Sequence, residues 1–542
     1  MMVVGRAWPV LVTAVCASSA AAQLPERGDG VIPDALPEWM MRWSPLHPLG
    51  DLARTLPRVP ESLHLLDAPP PAVGLLWISG TPAGLPDVRE TRLQFSAAGT
   101  GAGGAYRRPL DPADARALSV GGLGRGPLGD RGSVIGRVTV GTAEMGAAGF
   151  APLPLPYRSD PFVPTDTLSP DVRRVAARLE GAIGGRVGGL TAGLAAGALV
   201  TRDHTSASPT PRLGRRTVPG LAAGLAHTIP FTHVRLALTG RWLGGAETVF
   251  VVGQPEPGLV YPLDGYNEPD PVAVSTSSPY LHRVNRAAWS AGLAADGILL
   301  GTRWTLAAER ARRHDAHVLA RRFDAPVDRW HATAWTLNAA FQRPLAGDRL
   351  LVTATAAWQR LTGHAVRNDL SGDIYRAQGH ALDLQADVRW NPRGAGLGAG
   401  LIVATRREHR TESDFVVPVV SDVLAWTPAV AVEVAYDGPT SVGVGYQIGG
   451  YAAATSLPDP AAMGPVFGRL VAPALQLEAR SAVPMGATLT IRQRVGDRTA
   501  VLLTARGYRV APAGQQSALT LAPVGDRLAG QIALGVVLGE QR

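Results

Sequence analysis

From about residue 87 onward the chain alternates apolar and polar positions with a period of two, in stretches of roughly ten to fifteen residues. Gly379 to Trp390 is the clearest case. Leu382, Leu384, Ala386, Val388 and Trp390 share one face, and Ala381, Asp383, Gln385, Asp387 and Arg389 share the other. A helix would scatter those charges around its circumference, whereas a strand sorts them. The same sorting sets Val234, Leu236, Leu238 and Trp242 against Arg235, Thr239 and Arg241. It sets Leu350, Val352, Ala354, Ala356 and Trp358 against Thr353, Thr355 and Gln359. Further on, Leu475 and Leu477 alternate with Gln476, Glu478 and Arg480, and Leu489 and Ile491 with Thr490, Arg492 and Arg494. Leu528, Ile532, Leu534, Val536 and Leu538 close the series against Gln531, Ala533 and Gly535.

Such strands exceed the ~5–6 residues usual in globular sheets. They match the ~9–11 residues that cross a bilayer at a tilt, with extensions. No run after Gln23 is apolar enough to cross as a helix. Tight connections are expected at Asp296-Gly297, Pro344 to Asp348, Asn391 to Gly394 and Asp437 to Thr440. Long ones are expected over roughly 144–172, 203–217, 249–283, 363–378 and 455–468. The pattern predicts an all-β chain: a single transmembrane antiparallel β-barrel of about 18 strands (16–20), with short periplasmic turns and long extracellular loops. It runs from near Val88 to near Gly539, and Pro473, Pro484 and Ser517 to Leu521 are its ambiguous places. Trp304, Trp335, Trp358 and Trp390 fall on the apolar face, as an aromatic girdle at the membrane interfaces would.

The residues ahead of this pattern read differently. Arg6, the apolar stretch Ala7 to Ala17 and the small-residue pattern Ala20-x-Ala22 make 1–22 a secretory signal peptide. Val15 ahead of Cys16 argues against a lipid anchor. Residues 23–86 do not alternate and are rich in proline, so they are expected to form a periplasmic or lumen-inserted segment, either a plug or partner-binding arm or a plain tether. The barrel then occupies 87–542.

Composition agrees with a barrel. Of 542 residues, 46% are apolar and 18% charged, and mean hydropathy is near neutral at +0.07. An apolar lipid-facing row and a polar inward row average to that value. The 52 basic residues are all arginine, against 44 acidic ones, for a net charge of +8. Acids and arginines are interleaved without a basic block, which excludes a nucleic-acid surface. Cys16 is the one cysteine and lies in the signal peptide, so thiolate chemistry and thiolate metal sites are excluded from the mature chain.

Covalent chemistry finds little support. There is no lysine for a phosphate-binding loop, no G-x-S-x-G elbow and no H-E-x-x-H helix. His314, Asp315 and His317 in an expected 314–328 loop, and His364, Asn368, Asp373 and His380, are the polar groups a rim hydrolase or a metal would need. Spacing fixes no third ligand, so no catalytic, cofactor-binding or metal residue is assigned and no cofactor is expected. The inward row is the better candidate: Asp383, Asp387, Arg389, Arg406, Glu433, Glu478, Arg480, Arg492, Arg494 and Arg506 are expected to face the lumen. Charged lumen side chains select solutes by charge, and the arginine excess on the closing strands favours anions. The alternative is an internal salt-bridge network that fills the lumen and holds it shut.

The alternation over about 450 residues resembles the large class of bacterial outer-membrane β-barrel proteins. One region more narrowly resembles an uncharacterised, domain-of-unknown-function family of such barrels. Its features here are SVIGRVTVGTA, the loop PYRSDPFVPTDTL, the hairpin RVAARLEGAIGGRVGGLTAGLAAGALVTRDH and the loop with Pro209, Pro211 and Arg212. The resemblance implies a protein of the bacterial outer membrane that meets outer-membrane lipid and lipopolysaccharide and is inserted by the barrel-assembly machinery. It brings no site residue. The expectation is a channel or transporter for a small solute and not an enzyme. A plugged structural or partner-binding barrel is the alternative, and a rim hydrolase comes last. Residues 23–86 look too short and too rich in proline for the globular plug of an energised import receptor.

Overall fold

The computed structural model describes residues 83, 91–105, 113–146, 161–165, 171–205, 212–230, 232, 234–251, 258–264, 266, 272–275, 277–319, 328–345, 349–367, 370, 372–390, 396–436, 438–458, 468, 472–496, 498–513 and 525–539. The expected signal peptide, all of 23–86 but Ala83, and Ser517 to Leu521 lie outside the described residues.

The strands in chain order are β1 (Arg92–Gly104), β2 (Asp114–Leu128), β3 (Gly132–Gly146), β4 (Phe162–Thr165), β5 (Val172–Val187), β6 (Leu190–Thr205), β7 (Arg212–Thr228) and β8 (Val234–Val251). They continue as β9 (Gly258–Asp264), β10 (Val272–Val274), β11 (Tyr280–Leu299), β12 (Thr302–Leu319), β13 (Asp328–Leu345), β14 (Leu350–Arg367), β15 (Gly372–Trp390), β16 (Leu397–Asp414) and β17 (Val419–Tyr436). Then come β18 (Thr440–Gly449), β19 (Ala452–Ser456), the helix α1 (Ala472–Ala479), β20 (Ala482–Gly496), β21 (Thr499–Pro512) and β22 (Arg527–Leu538). All but β4, β9 and β10 form one antiparallel sheet. β18 and β19 both pair with β17 and act as one strand interrupted at Gly450-Tyr451, so the sheet has eighteen strands. It closes where β22 meets β1, from Leu93 opposite Leu538 to Gly104 opposite Arg527.

Closure joins the first and last strands of the sheet, leaving only the side of β19 away from β17 without a strand beside it among the described residues, and gives the strands two faces of opposite character. Leu293 is 63% exposed, while Ser290 (4%) and Asp296 (9%) on the other row of β11 are buried. Leu179, Leu194, Leu238, Leu401 and Val432 stand exposed on the same outer surface. A closed barrel with such an apolar girdle belongs in the bacterial outer membrane, with hydrocarbon meeting the exposed row. The inner row combines small residues such as Ala98, Ala176, Ala288, Ala311 and Ala334 with long arginines such as Arg174, Arg286 and Arg313, all buried.

Four local expectations change. The β11–β12 turn is not at Asp296-Gly297 but at Leu300-Gly301, with φ of 50° and 75°. A two-residue hairpin of this twist takes positive φ at both central positions, and here leucine fills one of them. Residues 363–378 are not a long loop, because β14 and β15 extend to Arg367 and from Gly372. Nor do His314, Asp315 and His317 lie in a loop, since β12 runs to Leu319. Residues 475–480 are not a strand: Ala472–Ala479 is helical. Pro473 sits in its first turn, where a missing N–H costs nothing, and Ala, Leu, Gln and Glu are all good helix formers.

The connections on the long-loop side turn inward. β4, β9 and β10 form a separate three-stranded sheet, β10 and β4 flanking β9. Val260 and Val274 of this sheet pack with Val249, Val251 and Tyr280 at the ends of β8 and β11. At the opposite, short-turn end, Ala83 packs with Ala226 and Ala237, both on the inner row.

Candidate functional site: the lumen wall and its mouth

Inward-facing charges come largely in compensated groups. Arg174 clasps Asp203 with two bonds of 2.7 and 2.6 Å. Arg137 lies 3.4 Å from Glu180, which also pairs with Arg178. Arg286 donates to Asp315 at 3.1 Å, and Arg313 pairs with the same fully buried carboxylate. Arg241 meets Glu309 at 2.9 Å and Arg235 meets Asp296 at 2.8 Å. Directly opposed positions on neighbouring strands join Arg174 to Asp203, Arg137 to Glu180, Arg286 to Asp315 and Arg235 to Asp296. The i,i+2 spacing joins Arg178 to Glu180 and Arg313 to Asp315, and Arg241 reaches Glu309 across β11. Removing one member of such a buried pair strands the other charge, typically at ~3–5 kcal/mol.

Eight of the expected lumen residues occupy strand rows opposite the exposed apolar ones. Asp387, Glu433 and Arg506 are buried. Arg389 donates to Asp387 at 2.8 Å. Arg406 bridges Asp383 at 3.2 Å and Glu408 at 3.1 Å. Arg492 and Arg494 lie on the row of β20 that holds the buried Thr490. Glu478 and Arg480 do not belong to a strand row, since Glu478 is in α1 and Arg480 directly follows it. β18 to β22 and β1 contain no aspartate or glutamate, while Arg492, Arg494, Arg506 and Arg527 share their inner face. One sector of the wall thus carries arginines with no carboxylate on its own strands.

The four tryptophans lie on outer rows: Trp335 and Trp390 are exposed, and Trp304 and Trp358 are half-buried. Trp242, read as apolar-face in the sequence, and Trp289 and Trp426 beyond the expected four are exposed there too.

The mouth is built by the inturned segments. Phe162, Tyr266, Ala472 and Leu475 form one buried cluster with Trp330, Ala332, Ala365, Ile374, Tyr375 and Ala377 of β13, β14 and β15. Leu477 packs against a second cluster of Ala102, Ala482, Val510 and Ala529 on β1, β20, β21 and β22. α1 thus touches two separate stretches of the wall. Tyr266 is the polar anchor. Its backbone N–H donates to Asp414 at 2.7 Å, and its hydroxyl donates to Glu412 at 2.7 Å and lies 2.6 Å from Ser421. Burial and then the neighbouring Glu412 charge hold the phenol well above its ordinary range, so it stays a neutral donor.

The rim constellations separate. Strand alternation puts His314 on the outer row of β12 and Asp315 and His317 on the inner one. His317 Nδ1 meets His282 Nε2 at 3.0 Å and packs against Phe162, whereas His314 Nδ1 meets His331 Nδ1 at 3.1 Å outside. His364 and His380 also face outward, Asp373 binds Arg376, and Asn368 lies outside the described residues. Among the described residues no group of three or more His, Cys, Asp or Glu is placed to hold a metal.

No family model matches the chain, and no curated protein matches it. Solved structures do. The ferric citrate transporter FecA in its unliganded form aligns at 10% identity and a TM-score of 0.44, over 82% of this chain and 79% of that one. The ferripyoverdine receptor of Pseudomonas aeruginosa aligns at 9% identity and 0.37, over 83% and 72%. The FrpB iron transporter from Neisseria meningitidis aligns at 10% identity and 0.36, over 84% and 83%.

Proposed function

We propose that the protein is a gated outer-membrane conduit for small, preferentially anionic solutes, its mouth governed by the inturned segments around Tyr266 and α1. One observation carries this reading. The inner face has a sector with arginines and no carboxylate on its strands, and the elements at the mouth are held there by apolar packing and the Tyr266 hydrogen bonds and not by pairing with the barrel sheet. Arginines along such a wall attract anions and repel cations from the path. The narrower likeness to the domain-of-unknown-function barrels is kept as part of this reading and adds no role for any residue.

A second reading has its own support. Most inner carboxylates are already engaged by arginines, and Ala83 packs on the inner wall. Those features suit a filled barrel whose loops meet a partner, with the segment 23–86 entering the lumen.

Single-channel conductance of the refolded mature chain in a planar bilayer, with an anion/cation reversal potential, separates them. The conduit predicts brief openings with anion preference in the wild type and longer ones in Tyr266→Ala. Silence from both chains, each verified as folded and inserted, would overturn it in favour of the filled barrel.

A further inference from the structure

Cross-strand register sorts the outer surface of β12 to β16 into bands. Going up from the short turns, Leu306, Ala339, Ala356 and Leu384 stand side by side, then Ala308, Leu337, Trp358 and Leu382. The next band is Arg310, Trp335, Arg360, His380 and His409. Above it lie Arg312, Thr333, Thr362 and Gln378, then His314, His331, His364 and Arg376. On β12 to β15 the surface changes from hydrocarbon-like to basic within one band, and on β16 Arg407, beside Leu382, brings the basic edge one band lower. That change falls about ten residues in from the short turns, close to the ~9–11 needed to traverse the hydrocarbon.

Near this boundary the described carboxylates are already engaged. Asp373 is engaged by Arg376 at 2.9 Å, and Asp422 by His409 at 2.8 Å and Thr411 at 2.7 Å. Arg310, Arg312 and Arg360 have no carboxylate partner among the described residues. Two of them are instead held over indoles: the Arg310 guanidinium carbon is 5.2 Å from the Trp335 ring centre, and that of Arg312 is 5.4 Å from Trp289. Stacking on an exposed tryptophan fixes a guanidinium plane while leaving its N–H edge free to donate. An arginine on the lipid side costs ~2–4 kcal/mol at mid-bilayer and ~0–1 near the interface. The band therefore sits at headgroup level, where the missing anions must come from the lipid.

We propose that the outer face of β11 to β14 docks the phosphorylated glycolipid of the outer leaflet, its phosphates seated on Arg310, Arg312 and Arg360 beside Trp289 and Trp335. The proposal rests on placement in the outer membrane and is independent of whether the lumen conducts. Guanidinium and phosphate match as planar fork and paired oxygens, a fit that lysine does not reproduce. The imidazoles of His314, His331 and His364, whose rings lie 4.5 and 5.0 Å apart in succession, line the edge of the same patch with further donors.

The test uses the full mature chain and its R310Q/R312Q/R360Q and R310K/R312K/R360K variants in mild detergent. Each is incubated with bisphosphorylated lipid A, enzymatically dephosphorylated lipid A, or phosphatidylglycerol, and bound lipid is counted by native mass spectrometry. The expected result is retention of the phosphorylated glycolipid by the wild type, with about tenfold weaker retention of the dephosphorylated form and of every lipid by the glutamine variant. The lysine variant should fall between. Equal retention of phosphorylated and dephosphorylated lipid, or no change in the glutamine variant, would overturn the site. Equal retention of phosphatidylglycerol by the wild type would overturn the glycolipid as its occupant. Heat-modifiable migration of every chain in electrophoresis is the control: its absence from the wild type would refute the barrel placement itself, a different failure from loss of lipid.

Discussion

Leu300 holds φ at 50° in the two-residue turn between β11 and β12, and its side chain is 85% exposed. A β-carbon in this left-handed region meets the following carbonyl, at a cost of ~1–2 kcal/mol. Asparagine tolerates the conformation better because its amide bonds to the local backbone. Leu300→Asn is expected to stabilise the barrel by about 1 kcal/mol, read as a higher urea midpoint with an unchanged slope. Gly363 shows the opposite constraint. A β-carbon there would overlap the Trp330 indole, so the inner wall of β14 needs glycine where that ring comes against it. His314 and His317 were legible as residues that suit chemistry, but three positions along a strand put them on opposite faces.

Among the elements, the mouth depends on a few anchors rather than on ladder hydrogen bonds. The Tyr266 hydroxyl serves a buried carboxylate, so Tyr266→Phe leaves Glu412 one donor short at ~1–3 kcal/mol. That loss should fall on the inturned loop while the strands keep their pairing. Limited proteolysis is expected to cut the 252–279 connection faster in the variant, with unchanged far-ultraviolet circular dichroism. Equal cutting rates would show that the apolar cluster alone holds the loop. The alternation of Leu475 and Leu477 suggested a strand because six residues cannot separate a period of two from a short helix. Contact with two stretches of wall at once settles α1, and no local pattern encodes that.

For the whole molecule, closure between β1 and β22 is the long-range step, joining the two ends of the sheet in one register. Removing 527–542 leaves the edges of β1 and β21 unpaired, and in hydrocarbon every unpaired backbone group costs several kcal/mol. The truncated chain is expected to lose heat-modifiable migration and to aggregate on refolding. A compact, inserted product would show that β21 can pair with β1 directly in a smaller barrel.

The order, number and alternation of the strands were readable in the chain itself, because a strand at a lipid boundary must expose apolar side chains at every second residue. The expected barrel of about 18 strands from near Val88 to near Gly539 follows from that rule, and the observed eighteen run from Arg92 to Leu538. Strand extensions beyond the membrane carry no such demand, so β12, β14 and β15 outran the pattern, and the expected loops holding His314 and His364 turned out to be strand. Only the tertiary structure decided which carboxylate each arginine meets, how the loops and α1 turn inward, and which outer arginines remain without a partner. Each of these depends on register between distant strands, and a slip of one residue in register moves a side chain to the other face of the wall.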